Sequence, residues 1–268
     1  MARSALIEVM TRAVMKAAKG LRRDFGEVGH LQVSKKGTAD FVSTADTNAE
    51  RILHQELSYA RPKFGFLMEE GGVIEGEDTT QRWIIDPLDG TNNFLHAVPY
   101  FCISIALEKT LPNGEREIIA AVIYDVARDE MFTAEKAGGA FLNDRRMRVS
   151  ARKDLEECLV ATISPRPSRP GYARAMAMYT AATGGAGAIR SGGATALDLA
   201  YVAAGRYDAY WGENQKLWDI AAGILLVKEA GGTVSTIGGA KDYLETGSLL
   251  VSNGQIHKKV DALLGEFA

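Results

Sequence analysis

The sequence predicts an α+β fold. Two stretches with apolar residues at helical spacing open the chain, and apolar segments of period two run on to about residue 150. A second half then mixes short apolar runs with helical patterns. At 268 residues the chain can bury a substantial core, as one large domain or two closely packed halves. A formal charge of -3 gives no global basic field, which disfavours nucleic-acid binding as the main task. Cys102 and Cys158 form neither a C-x-x-C pair nor a disulfide framework; they read as small core residues and suit a reducing compartment. No apolar run reaches the roughly 18 residues of a transmembrane helix. The N-terminal segment carries Arg3, Arg12, Arg22 and Arg23 but also Glu8 and Asp24, with no continuous apolar region, so it reads as part of the fold. The expected location is cytoplasmic.

The first element is an amphipathic helix. Leu6, Val9, Met10, Ala13, Val14, Ala17 and Leu21 share one face, and Gly26 and Gly29 close it. Val33 to Phe41 is polar and is expected to be a mobile surface loop. A second helix is expected to begin between Thr44 and Thr47, where Thr47 and Glu50 have capping-box spacing, and to bury Ala49, Ile52, Leu53 and Leu57. Asp46 then stands at a helix N-terminus, a place where capping alone explains an anion. Phe64 to Met68 is a short buried strand running into Glu69-Glu70-Gly71-Gly72, and the acidic stretch Val73 to Gln81 reads as a loop.

Trp83, Ile84 and Ile85 are β-formers, which puts Asp86 at the tip of a buried strand. Pro87 has no N–H and ends the ladder there; Asp89-Gly90 is a turn pair. Phe101 to Leu107 alternates as a strand, Pro112-Asn113-Gly114 turns, and Ile118 to Tyr124 returns. Glu130 to Ala134, and Phe141-Leu142 beside Asn143-Asp144, continue the meander. After the charged connection Ser150 to Glu157, Leu159 to Ile163 is a strand and Ala173 to Ala182 a helix. Gly184 to Gly193 is a glycine-rich run without the spacing of a nucleotide loop. Ala194 to Ala204 is a helix whose first turn can approach an anion. Tyr207 to Trp211 is a strand, Trp218 opens a helix with Asp219 in its first turn, Val234 and Leu249 to Ser252 are strands, and Gln255 to Phe267 is a closing helix.

Glu69, Asp86, Asp89 and Asp219 each end an apolar element. Taken alone, Asp86-Pro-Leu-Asp89-Gly90 is equally well explained as a surface turn with solvated acids. If the four acids converge, each pair about 4 Å apart repels by roughly 4 kcal/mol at an effective dielectric near 20, so convergence requires a cation. All-oxygen ligation fits Mg²⁺ better than zinc. His30, His54, His96 and His257 lack ligand spacing and read as structural or exposed. No G-x-S-x-G or activated cysteine offers a covalent nucleophile, which leaves water activated by metal.

Met68-Glu69-Glu70, Trp83-Ile-Ile-Asp86-Pro-Leu-Asp89-Gly90-Thr91-Asn-Asn-Phe94 and Trp218-Asp219-Ile-Ala-Ala-Gly223, in that order, resemble the inositol monophosphatase family, and within it bacterial SuhB-like members, over nearly the whole length. The resemblance implies a layered α-β-α-β-α sandwich of the inositol monophosphatase and fructose-1,6-bisphosphatase type, usually a homodimer. The activity implied is Mg²⁺-dependent, lithium-sensitive hydrolysis of inositol 1-phosphate or a similar small polyol phosphate. Residues 1–268 would form a single catalytic unit, with most metal ligands in an N-terminal half, 1–150, and Asp219 and the substrate-facing helix in 151–268. The metal ligands implied, for two to three Mg²⁺, are Glu69, Asp86, the Leu88 carbonyl, Asp89 and Asp219. Asp46, Glu69 and Thr91 would be catalytic, Asp46 and Thr91 orienting and deprotonating the attacking water. The N–H groups of Gly90 and Thr91 would hold phosphate, while Asp89, Gly193, Ala194 and Thr195 face the polyol. Glu70 takes no role.

One departure bears on substrate. The family's substrate-contacting Glu, seven residues before the metal-binding Asp, falls on Gly212, with Glu213 one place later. Glu213 is the candidate replacement, and inositol specificity is the property at stake. Ala194 stands where Thr is usual, a change that a backbone N–H contact survives. Fructose-1,6-bisphosphate, a 3′-phosphoadenosine nucleotide and histidinol phosphate are alternative substrates on this fold. SuhB-like binding to the transcription machinery is an alternative role. A two-metal nuclease would want a basic groove, and the charge offers little support.

Overall fold

The computed structural model describes residues 4–31 and 35–267, with side chains described for 4–28 and 44–267. Helices α1 (Ala5–Leu31) and α2 (Lys35–Ala60) pair and lead into strands β1 (Phe64–Met68), β2 (Gly72–Ile74) and β3 (Asp78–Asp89). A short helix α3 (Thr91–Leu95) precedes the meander β4 (Cys102–Thr110), β5 (Arg116–Asp125), β6 (Glu130–Glu135), β7 (Gly139–Leu142) and β8 (Arg145–Arg146). These strands form an eight-stranded sheet of order β2-β1-β3-β4-β5-β6-β7-β8, antiparallel except where β1 runs parallel to β3. The second half supplies β9 (Leu159–Thr162), α4 (Tyr172–Gly185), β10 (Ala188–Arg190), α5 (Thr195–Ala203), β11 (Ala209–Gly212), α6 (Leu217–Glu229), β12 (Thr233–Ser235), α7 (Tyr243–Thr246), β13 (Leu249–Ser252) and α8 (His257–Gly265). Its five strands form a sheet of order β10-β9-β11-β13-β12.

Strand alternation sets the layers, because successive side chains face opposite sides of a sheet. Trp83, Ile85, Ile103, Ile105, Val122 and Tyr124 face one way, into a core with Met10, Val14, Leu53 and Leu57 of α1 and α2. Ile84, Ala106, Ala121 and Ile123 face the other way, into a core with Leu197, Ile220, Ile224 and Val227 of α5 and α6. That same core takes Tyr210, Leu249 and Val251 from one face of the second sheet. Trp211 and Leu250 on its opposite face pack with Met178 of α4 and Val260 of α8. The result is an α-β-α-β-α sandwich, with its central helical layer sealed between two sheets.

Several elements depart from expectation. Lys35 to Phe41 is the first two turns of α2, not a loop; Val33 and Ser34 lie outside the described residues. Gly26 does not close α1, which continues to Leu31. Helix α2 therefore begins well before Thr44, and Asp46 sits inside it, where no N-terminal partial charge explains it. The stretch Val73 to Gln81 contains part of β2 and the start of β3. Pro87 does not end its strand: pairing with β4 breaks between Asp86 and Asp89 and resumes at Asp89 opposite Cys102. A bulge absorbs the missing N–H. The glycine-rich run holds β10. Cys102 and Cys158 are free and buried, as expected.

Gly223 explains its own place in the sequence. A Cβ there would fall inside contact distance of Leu199 Cβ, Cγ and Cδ1, so α5 and α6 close on each other only because α6 lacks a side chain at this point. Helix propensity alone would make Gly223→Ala stabilising by about 1 kcal/mol. We expect the opposite, a loss of about 1–3 kcal/mol from overpacking, read by denaturant unfolding. A gain in stability would show that the helices separate freely.

Candidate active site

Four acids act on one another at the end of β3. Asp86 is buried, and its Oδ1 accepts a hydrogen bond from Leu88 N at 3.0 Å across the bulge. Asp89 Oδ2 accepts from Ala196 N at 2.6 Å. Ala196 lies in the first turn of α5, whose own N-cap, Ala194, has no side-chain oxygen to offer. Asp89 therefore caps α5 from another element, and the helix N-terminus in turn favours the carboxylate. Glu69 arrives just beyond β1, its N–H on Ile85 O at 3.2 Å, and its side chain hydrogen-bonds Asp86. Asp219 is at N3 of α6, its Oδ2 accepting from Lys216 N at 3.3 Å.

These four carboxyls feel one another. Burial, then the charges of Asp89, Glu69 and Asp219, hold the Asp86 carboxyl well above the usual carboxylate range. Burial and Asp219 do the same to Asp89, against the pull of the Ala196 N–H. Burial raises Glu69, and its hydrogen bond with Asp86 pulls the other way. Burial pushes Asp219 up to about 6, opposed by the Lys216 N–H and the charges of Lys216 and Arg169. Asp46 is buried within α2; burial, then Glu69, Glu70 and Glu50, push it up to about 8, and its Oδ1 has no hydrogen-bond partner.

Among the described residues no three acid, histidine or cysteine side chains already form a cage around one point that could hold a metal ion. The carboxyls act on one another without enclosing a common point. The donor chemistry nevertheless fits a hard cation: the donors are all oxygen, the charges are short of compensation, and a buried Asp46 oxygen is left without a partner. Mg²⁺ keeps several waters, so it needs few protein ligands.

The turn after Asp89 has no room for a side chain. Gly90 has φ 94°, and a Cβ there would lie 2.9 Å from Tyr100 O and 3.2 Å from Ala194 Cβ. Thr91 Oγ1 donates to Leu88 O at 3.1 Å, so the hydroxyl and the carbonyl belong to one local unit. Gly193 also has positive φ, 81°, and faces Asn93. Thr195 is buried, with its Oγ1 3.3 Å from Tyr210 Oη and 3.2 Å from Gln215 Oε1. A Cβ on Gly212 would meet Tyr210 Oη at 2.7 Å and Gln215 Cδ at 3.0 Å, so this network occupies the space a longer residue at 212 would need. Glu213 instead pairs with Arg174 of α4 at 2.8 Å. Both Glu213 and Asp219 line a cavity of about 480 Å³.

Some supporting residues escaped sequence reasoning. Asn93 Nδ2 donates to Tyr100 O at 2.7 Å and Gly192 O at 2.8 Å, joining α3 to the loop before α5. Tyr100 Oη donates to the buried Asp198 at 2.5 Å beneath that loop. Asn93 lies inside the quoted motif, but an amide that bridges residues 7 and 99 positions away leaves no periodic signal. His54, His96 and His257 stand apart from the acids; His257 sits between Ser235 and Ser252. The His30 side chain lies outside those described.

Comparison with known proteins agrees with this architecture. The chain is 52% identical over 258 residues to an inositol-1-monophosphatase of Rhizobium meliloti, covering 96% of this chain and 95% of that one. It is 41% identical to the Nus factor SuhB of Pseudomonas aeruginosa, covering 94% and 93%. Among solved structures, the extragenic suppressor protein SuhB of Bartonella henselae superposes with a TM-score of 0.88 at 51% identity, covering 97% and 98%. The model of the inositol monophosphatase family matches residues 2–266, and with the layered fold and these relatives it shows that the chain belongs to that family.

Proposed function

We propose that this protein is a Mg²⁺-dependent, lithium-sensitive phosphatase of inositol 1-phosphate or a similar small polyol phosphate, working as a single catalytic unit in a cytoplasmic homodimer. The observation that carries the reading is the mutual proximity of Glu69, Asp86, Asp89 and Asp219, where burial and neighbouring acids hold Asp86 and Asp89 well above the usual carboxylate range. The inositol-1-monophosphatase name of relatives near half identity supports the substrate. Glu69, Asp86, the Leu88 carbonyl, Asp89 and Asp219 would hold two to three ions. Mg²⁺ bound there would neutralise the phosphate and acidify water.

The protein's own groups would do the rest. The N–H groups of Gly90 and Thr91 would receive the phosphate oxygens. Thr91 Oγ1, fixed by Leu88 O, would orient the attacking water, and Asp46, held near neutrality in its titration, is suited to accept a proton from it. Asp89, with Gly193, Ala194 and Thr195, would face the alcohol. A role beside transcription factors is a second reading, favoured by the name Nus factor SuhB on relatives such as that of Pseudomonas aeruginosa; it does not require loss of the first.

Phosphate release from inositol 1-phosphate should need Mg²⁺ and fall with Li⁺, and Asp86→Asn and Asp219→Asn should each lower kcat/KM by at least about a hundredfold while staying folded. Turnover that survives chelation would refute the metal assignment.

The acids also predict a pH dependence of stability. Asp46 near 8 and Asp219 near 6, against an ordinary 3.8, make the folded metal-free protein bind more protons than the unfolded chain between those values. Stability must therefore fall as pH rises through that window. Chelated protein should melt lower at pH 8 than at about pH 5, and Mg²⁺ should restore the loss at the higher pH. A melting temperature that rises with pH in the chelated protein would contradict the site's electrostatics.

Glu213→Ala should raise the KM for inositol 1-phosphate about threefold to tenfold if Glu213 leaves Arg174 to reach the polyol. An unchanged KM would retire that contact.

A further inference from the structure

Helix α2 brings a second buried acid toward the site besides Asp46. Asp46, Glu50, Leu53 and Leu57 are spaced by four, three and four residues, which places them on one stripe of the helix. All four are buried. The two leucines enter the core with Phe66 and Met68 of β1, and the His54 ring packs on Phe66 with centroids 4.6 Å apart. Glu50 continues the stripe to the turn that follows β1. A buried glutamate there needs donors.

The turn supplies them. Glu50 Oε2 accepts from Glu70 N at 2.9 Å, and the same carboxylate takes the N–H of Gly71. Gly71 comes close because it lacks a side chain: a Cβ there would lie 2.8 Å from Met68 Cε and 2.9 Å from Glu50 Oε1. Glu69, the residue before this pair, donates its own N–H to Ile85 O of β3 at 3.2 Å. Three consecutive N–H groups are thus engaged, one by the strand that carries Asp86 and two by the helix that carries Asp46. Glu70 and Gly71 are themselves exposed, so no burial of their own fixes this turn.

Electrostatics alone would disfavour a glutamate at this position. Burial raises its carboxyl, and the two N–H groups pull it back. Its charge also adds to burial and the other acids in raising Asp46 and Glu69. What the carboxylate offers in return is geometric: its two oxygens hold two N–H groups, where an amide would bring one oxygen and an opposing N–H.

We propose that Glu50 is a positioning residue for the metal site: by clamping the N–H groups of Glu70 and Gly71 it fixes the turn after β1, and so holds Glu69 in register with Asp46 on the same helix. Its carboxylate is given to the backbone rather than to metal or substrate. This rests on the reading above in which Glu69 is a Mg²⁺ ligand, and the affinity for Mg²⁺ is where the clamp acts.

The test uses Glu50→Gln, which keeps the length and loses one acceptor, and Glu50→Asp, which keeps the charge and loses about 1.5 Å of reach. In the metal-free full chain, hydrogen exchange at Glu70 N–H, Gly71 N–H or both should quicken about tenfold or more in each variant. Mg²⁺ affinity, measured by titration calorimetry without substrate, should fall about tenfold or more in each. At saturating Mg²⁺ the KM for inositol 1-phosphate should stay within about twofold of wild type, which places the loss on the metal. A contact that only stabilised the fold would leave the Mg²⁺ affinity of folded protein unchanged. Unchanged exchange at both amides in either variant would overturn the clamp. So would wild-type Mg²⁺ affinity in a variant whose amides are released, or a rise in KM as large as the loss of Mg²⁺ affinity. If the wild-type chain binds no Mg²⁺, the phosphatase reading itself fails and takes this proposal with it; with Mg²⁺ bound by wild type, the variants judge the clamp alone.

Discussion

Buried negative charge at the end of β3 is the constraint on which the rest of the structure turns. The strand lies inside the larger sheet with apolar layers on both faces, and it delivers Asp86 where water cannot solvate it. A lone carboxylate in such a place costs several kcal/mol even after relaxation. The fold reduces that cost by aiming donors at the acids, Leu88 N at Asp86 and Ala196 N at Asp89, and by joining Asp86 to Glu69 through a side-chain hydrogen bond. These measures make the site tolerable and leave it short of positive charge. A site built to receive a cation has this character: stable enough to persist without it, and more stable with it.

The layering explains why the acids can meet. Helices α5 and α6 are covered by both sheets, so their N-terminal turns are fixed relative to β3 by packing on two sides. Gly223 sets their mutual approach, and Asp219 rides on the same helix, one turn away. Asp89 then does two tasks, completing the N-terminus of α5 and facing the site. Position and electrostatics are linked through one hydrogen bond, since whatever draws Asp89 toward a cation also bears on the cap of α5.

How far the sequence disclosed this depends on the range of the interaction involved. Phe64 to Met68 and Leu249 to Ser252 were legible to the residue because their apolar runs are short, buried and bounded by turn chemistry. The acids of the site were legible because each follows an apolar run. The first turns of α2 were not, since Lys35-Lys36-Gly37-Thr38 has neither apolar period nor good propensity, and its helical state follows from continuity with the packed part of α2. The same error misassigned Asp46: a helix start at Thr44 made capping a sufficient account, and only the longer helix shows a carboxyl that capping does not explain. Pro87 misled in the opposite sense, because a bulge lets the ladder resume where local rules end it. Asn93, Tyr100 and Asp198 act through long-range hydrogen bonds, which leave no trace in local sequence.

Chemistry and recognition occupy different kinds of structure here. The acids proposed to hold metal sit at or just beyond the ends of packed strands and in the first turn of a buried helix, where rigidity holds geometry. Apart from Asp89, the groups proposed to face the alcohol lie on or beside connections: the loop from Gly212 to Lys216, and the segment leading into α5. Loops can change residues at little cost to the core, so recognition can diverge while the acids stay in place. Gly212 illustrates the division. Its lack of a side chain leaves room for the Thr195, Tyr210 and Gln215 network, and Glu213 is turned to Arg174 across the cavity. None of these changes touches Asp86 or Asp219. A residue that lacks the family's substrate-contacting side chain thus has a local physical account, and it leaves in place the acids proposed to activate water.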